Sequence, residues 1–126
     1  RQRQMCIRDR LDEETLTRYH KHCDELGLSA LVEAHDEEEI QMAVRAGARI
    51  IGVNNRNLKD FTVDIHNGIR LREKVPKEIL FVAESGIKTR ENIVELEKGC
   101  VNAVLIGETF MRSENKEQML QQLKGE

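Results

Sequence analysis

Four short apolar runs punctuate the chain, each closed by a polar residue or glycine and followed by a stretch with helical spacing. They are Leu28-Ser29-Ala30-Leu31-Val32, ending at Glu33; Arg49-Ile50-Ile51-Gly52-Val53, ending at Asn54; Ile79-Leu80-Phe81-Val82-Ala83, ending at Glu84; and Asn102-Ala103-Val104-Leu105-Ile106, ending at Gly107. Near-continuous apolar runs lack the alternation of a half-solvated strand. They predict parallel strands buried on both faces, with helices as the crossovers. Strand starts at 30, 49, 79 and 102 are 19, 30 and 23 residues apart, the length of βα units. Two architectures satisfy this pattern: a small doubly wound sheet, or four units of an eight-unit (βα)8 TIM barrel.

The intervening segments carry helix signals. Asp12 is placed to cap a helix with Leu16, Tyr19, Cys23 and Leu26 on one face, closed by Gly27. Asp36 and Glu39 form a capping-box pattern ahead of Ile40, Ala43 and Val44. Asp64 precedes Ile65 and Ile69, Thr89 precedes Ile93, Val94 and Leu96, and residues 115–123 read as a closing helix. The first ten residues are different. They hold four arginines and one aspartate, a surplus of three positive charges, which leaves −6 on the remainder of a chain whose net charge is −3. They show no period beyond Met5-Cys6-Ile7, so residues 1–10 read as an irregular, non-native-looking end and 11–126 as the domain.

Composition narrows the function classes. A mildly acidic chain without a basic stripe beyond residue 10 argues against nucleic acid as a partner. No apolar run approaches the roughly 18–20 residues of a membrane helix. Three scattered cysteines with no C-x-x-C spacing suit a reducing cytoplasm and offer no disulfide framework. With three Phe, one Tyr and no Trp, core volume must come from aliphatic side chains.

The residues that terminate the strands carry the chemistry. In open parallel sheets and in barrels, ligands bind at the C-terminal strand edge, where Glu33, Asn54, Glu84 and Gly107 all fall. A partly desolvated carboxylate persists there only if it is paired or used. Taken alone, Glu33 reads as a strand-end charge reaching solvent; two carboxylates and an amide converging on one rim read as an acid–base site. A second constellation suits a phosphate. Ser85-Gly86 offers a hydroxyl and backbone N–H groups that an anion can approach, and Gly107-Glu108 repeats the arrangement one strand later. Arg56 could add a guanidinium. His20 and Cys23 stand one helical turn apart without further patterned ligands, so no metal site is expected. His35 either touches the rim or packs beside Asp36.

Three stretches, LVEAHDEEEIQMAVRAGARIIGVNNRNL (31–58), FVAESGIKTRENI (81–93) and VNAVLIGETFMR (101–112), resemble indole-3-glycerol-phosphate synthase. The likeness runs from about Leu11 to the C-terminus. It implies a (βα)8 barrel of the α/β class, present here as a C-terminal half-barrel of about four βα units preceded by one helix. It also implies an enzyme of tryptophan biosynthesis, a carboxy-lyase without metal or organic cofactor, acting on a phosphorylated small molecule. That enzyme closes the indole ring of 1-(2-carboxyphenylamino)-1-deoxyribulose 5-phosphate with loss of carbon dioxide and water. Carried over by position, the resemblance makes Glu33 the general base of dehydration and Glu84 the carboxylate that orients catalytic groups. Asn54 and Arg56 become substrate contacts, and Ser85, Gly86, Gly107 and Glu108 the phosphate loops. Glu108 departs from a serine found in some members. The family's catalytic lysines lie on earlier strands, whereas Lys21, Lys59, Lys74, Lys77, Lys88, Lys98, Lys116 and Lys124 all read as helix or loop residues. An incomplete catalytic set is therefore expected, with an inactive chain whose strand edges, near Leu31 and Leu105, invite self-association. The alternatives are a non-catalytic phosphate-binding half-barrel and another phosphate-binding barrel such as phosphoribosylanthranilate isomerase.

Overall fold

A computed structural model describes residues 5–7, 11–57 and 60–126. Five strands form one parallel sheet in sequential order: β1 (Met5–Ile7), β2 (Leu31–Ala34), β3 (Ile50–Asn54), β4 (Leu80–Glu84) and β5 (Ala103–Leu105). Each strand pairs with the next in the chain. A doubly wound sheet reverses its strand order at a switch point, so unbroken 1-2-3-4-5 order selects the barrel architecture. The crossovers are α1 (Glu13–Glu25), α2 (Glu37–Arg45), α3 (His66–Arg72) and α4 (Arg90–Lys98), followed after β5 by α5 (Glu108–Arg112) and α6 (Lys116–Lys124).

Two expectations need correction. Met5-Cys6-Ile7 is not irregular: it pairs in register with Leu31, Val32 and Glu33, its backbone satisfied by β2. The rest of the opening ten residues lies outside the described residues. The outer edge is accordingly β1 and not Leu31. Of the helix starts, Asp12, Asp36 and Thr89 cap α1, α2 and α4 through bonds to Thr15 N, Glu39 N and Asn92 N. Asp64 does not cap α3 in this way; its carboxylate takes the His66 N–H at 2.9 Å, and Ile65 occupies the cap position without a side-chain bond.

The period of two along the strands divides the sheet into two faces. Val32, Ala34, Ile51, Val53 and Phe81 point toward the helices and are buried with Leu16, Ile40, Ala43 and Val75, while Ala83 on the same face is buried with Ile87 and Leu96 in a second cluster. Leu31, Glu33, Ile50, Gly52, Asn54, Leu80, Val82, Glu84 and Leu105 alternate onto the opposite face. No described helix covers it, and Leu80 and Leu105 remain 52% and 46% exposed there.

Candidate active site

Register brings the strand-end residues together. Glu33 pairs with Gly52 and Asn54 with Glu84, so both carboxylates and the amide project from the C-terminal end of the open face. Gly52 makes the room. A Cβ built there would lie 2.1 Å from Glu84 Oε1 and 3.2 Å from Leu31 Cδ1, so the Glu84 carboxylate sits over the glycine. Glu33 and Glu84 are each only 4% exposed. Burial first, then the charge of Glu33, pushes the Glu84 carboxyl up to about 7, against a smaller opposing pull from His35. Glu84 Oε1 is buried and accepts no hydrogen bond among the described residues.

His35 joins this pair from the loop after β2. Its Nε2 lies 3.2 Å from Glu33 Oε1 and its Nδ1 3.1 Å from Glu39 Oε2, and Glu39 Oε2 also accepts the His35 backbone N–H at 2.7 Å. The capping box is therefore half formed: Asp36 accepts from Glu39 N, while the Glu39 carboxylate turns back to His35.

The loops after β4 and β5 enclose a cavity of about 230 Å³ lined by Arg56, Ser85, Gly86, Gly107 and Glu108 among others. Ser85 and Gly86 both adopt positive φ (65° and 77°), and a Cβ on Gly86 would fall 2.2 Å from Val63. Two successive left-handed residues, one a serine, are costly and need outside support. Asn55 supplies it. Buried to 3% exposure, it donates from Nδ2 to Ser85 O at 3.1 Å and accepts the Gly68 N–H at 3.1 Å, and its own N–H donates to Glu84 O at 2.8 Å. Thr109 ties the two loops through a 2.6 Å bond from its hydroxyl to Ile87 O. Arg56 reaches the cavity but is engaged by Glu108 Oε2 at 2.6 Å. Arg112, then Arg56, holds the Glu108 carboxyl below its ordinary value.

The structure thus gathers the residues expected to carry catalysis and substrate binding into two adjoining places, while His20 and Cys23 stand apart on α1. Glu33, Asn54 and Glu84 form an acidic rim; Arg56, Ser85, Gly86, Gly107 and Glu108 form a loop cavity beside it. Asn55 escapes sequence reasoning, the one available signal being the doubled Asn after an apolar strand. The described lysines lie in helices or loops, and Lys59 lies outside the described residues. Among the described residues no cluster of three or more His, Cys, Asp or Glu is arranged to hold a metal ion.

Sequential parallel strands with polar side chains gathered at their C-terminal ends define a segment of a βα barrel. The solved structures agree on the fold: thiamine phosphate pyrophosphorylase from Pyrococcus furiosus superposes with a TM-score of 0.75 at 19% identity, over 96% of this chain and 56% of that one. FabK from Thermotoga maritima gives 0.65 at 18% identity, over 78% and 32%. A family profile described as indole-3-glycerol phosphate synthase matches residues 5–123, and the chain belongs to that family. The indole-3-glycerol phosphate synthase of Lachnoclostridium phytofermentans is 60% identical over 114 residues, 90% of this chain and 42% of that protein. The enzyme of the same name from Leuconostoc mesenteroides is 60% identical over 116 residues, 92% and 44%. The chain therefore spans less than half the length of these relatives.

Proposed function

We propose that this segment supplies the base and the phosphate grip of an indole-3-glycerol-phosphate synthase. The substrate class is the phosphorylated 1-(2-carboxyphenylamino)-1-deoxyribulose. The observation that carries this reading is the separation of two environments on one rim. A buried carboxylate pair stands where protons move, and a glycine-built loop cavity with Arg56 stands beside it for a remote anion. Two carboxylates in one desolvated place do not ionise alike. Glu84, pushed up to about 7, is the member that retains a proton near neutrality and can donate a hydrogen bond that orients neighbouring groups. Glu33 is then the base that takes a proton as the closed ring loses water, with Asn54 holding the substrate. Substrate phosphate displaces Glu108 from Arg56 and meets the backbone of the two loops. A lysine acid, carried elsewhere in the family's barrel, completes the set; without it this chain alone is inactive. The reading also places the protein in the cytoplasm, with no need for a metal or organic cofactor.

The test is Glu33→Gln in a full-length synthase carrying this segment. General acid–base groups contribute about 10²–10⁴ in rate, so kcat should fall steeply while KM changes little. A variant that keeps most of its turnover would reduce Glu33 to a strand-end charge.

A second reading is favoured by the exposed Leu80 and Leu105 on the open face: the isolated chain associates with a second copy through that face. Light scattering should show a dimer or larger species, shifted toward monomer by Leu80→Glu. A monomer at every concentration would end this reading.

A further inference from the structure

The loop cavity owes its shape to a residue that does not line it. Ser85 and Gly86 carry the chain off β4 through two consecutive left-handed conformations. Glycine adopts that conformation freely, whereas a serine held there needs a partner that outweighs the steric cost. Asn55 lies behind the turn, buried and outside the ring of residues that line the cavity. Each of its four polar groups is engaged. Its N–H donates to Glu84 O at 2.8 Å, and its carbonyl accepts the Asp64 N–H at 3.0 Å. Its Nδ2 donates to Ser85 O and its Oδ1 accepts the Gly68 N–H, both at 3.1 Å. These last two bonds fix which end of the carboxamide is which, since a backbone N–H requires the oxygen and a carbonyl the nitrogen.

The second anchor comes from α3. Gly68 sits inside that helix and is buried, where glycine is less favourable than alanine. Its presence has a packing reason. A Cβ on Gly68 would stand 3.0 Å from Asn55 Oδ1 and 3.7 Å from Ala83 Cβ, so the missing side chain is what lets the carboxamide seat against the helix. Val63, which bridges to Arg56 through the backbone, occupies the place that a Cβ on Gly86 would need. The segment that carries Arg56 therefore also backs Gly86.

We propose that Asn55, seated on Gly68 of α3, is the positioning residue of the phosphate grip: it holds Ser85-Gly86 in the left-handed turn that meets a phosphate monoester. The proposal rests on the reading of these loops as the phosphate grip and adds what sets their shape. Released from Asn55, Ser85 returns to the ordinary φ region and the turn falls out of line with Gly107-Glu108. Affinity for the anion drops, while the chemistry at the acidic rim is kept.

The experiment compares this chain as wild type, Asn55→Ser and Gly68→Ala, with inorganic phosphate as the probe and the loop amides followed by NMR. Both substitutions leave the charge of the site unchanged, and neither residue lines the cavity. The Ser85 and Gly86 backbone signals should move in both variants before any phosphate is added. Asn55→Ser should weaken phosphate binding by about tenfold, the loss of one buried hydrogen bond and of the turn it supports. Gly68→Ala should weaken it by less, because the carboxamide is displaced and not removed. In a full-length synthase carrying this segment, KM should rise by similar factors with kcat within about twofold, as expected when binding alone is lost. Ile40→Val, a substitution in the buried face of α2, controls for general loss of stability and should leave phosphate binding unchanged. Unmoved Ser85 and Gly86 signals in both variants, or phosphate binding as strong as the wild type's in both, would overturn the proposal. So would an equal loss in Ile40→Val. A wild type that does not respond to phosphate would end the reading of the loops as a grip, and this proposal with it; a responding wild type with equally responsive variants ends this proposal alone.

Discussion

The two faces of the sheet invert each other's rules. On the helix-covered face the strand side chains Ala34, Ile51, Val53, Phe81 and Ala83 are apolar and fully buried, and the buried charge there, Arg72 of α3, lies over the Phe81 ring with its guanidinium donating to backbone carbonyls. On the open face the buried side chains are Glu33 and Glu84, each 4% exposed, while Leu80 and Leu105 stand half in solvent. A buried charge and an exposed large apolar group are the observations that folding alone does not account for. The covered face stabilises this chain by removing apolar area from water. The open face bears costs that only a bound substrate or a packing partner would offset.

Substitutions should separate these roles. Phe81→Ala opens a void in the packed face and should cost about 3–5 kcal/mol in urea unfolding. Leu80→Ala, one residue away on the other face, should cost less than about 1 kcal/mol. Equal losses would mean that the open face is as well packed as the covered one, and the contrast would collapse.

The next effect is in pH. In the folded chain Glu84 binds its proton up to about 7, and once unfolded only to its ordinary 4.5. The folded state therefore holds more protons between these values. Stability should fall as pH rises through that window, by about 3 kcal/mol in total, and stay at the lower level above it. Glu84→Gln should flatten the dependence and be the more stable protein at pH 8. A wild-type chain whose urea midpoint does not decline from pH 4.5 to 7 would show that Glu84 ionises without penalty.

Much of this organisation is legible in the sequence because it is local. Apolar runs and their terminating residues give β2 to β5, and caps such as Asp12 and Thr89 bond within three residues of themselves. Since side chains at the C-terminal ends of parallel strands share a rim, the strand-end positions of Glu33, Asn54 and Glu84 are enough to group them. What the sequence hides is non-local or too short to carry a period. β1 has three residues and exists through its pairing with β2; α5 has five and no buried residue. Asn55 supports a turn 30 residues away, and Arg56 meets Glu108 across 52. The turn of Glu39 toward His35 lies within reach of sequence reasoning, yet the capping-box pattern points to a different acceptor geometry.

The claim that the rim holds two distinct places, one for protons and one for an anion, is tested most directly by titrating inorganic phosphate into the isotopically labelled chain. The amide signals of Ser85, Gly86, Gly107 and Glu108 should move together at millimolar phosphate, and Arg56→Ala should weaken the response. The Glu33 and Glu84 carboxyl signals should stay in place. Absence of any shift at the four loop amides, or movement confined to the acidic rim, would contradict the division.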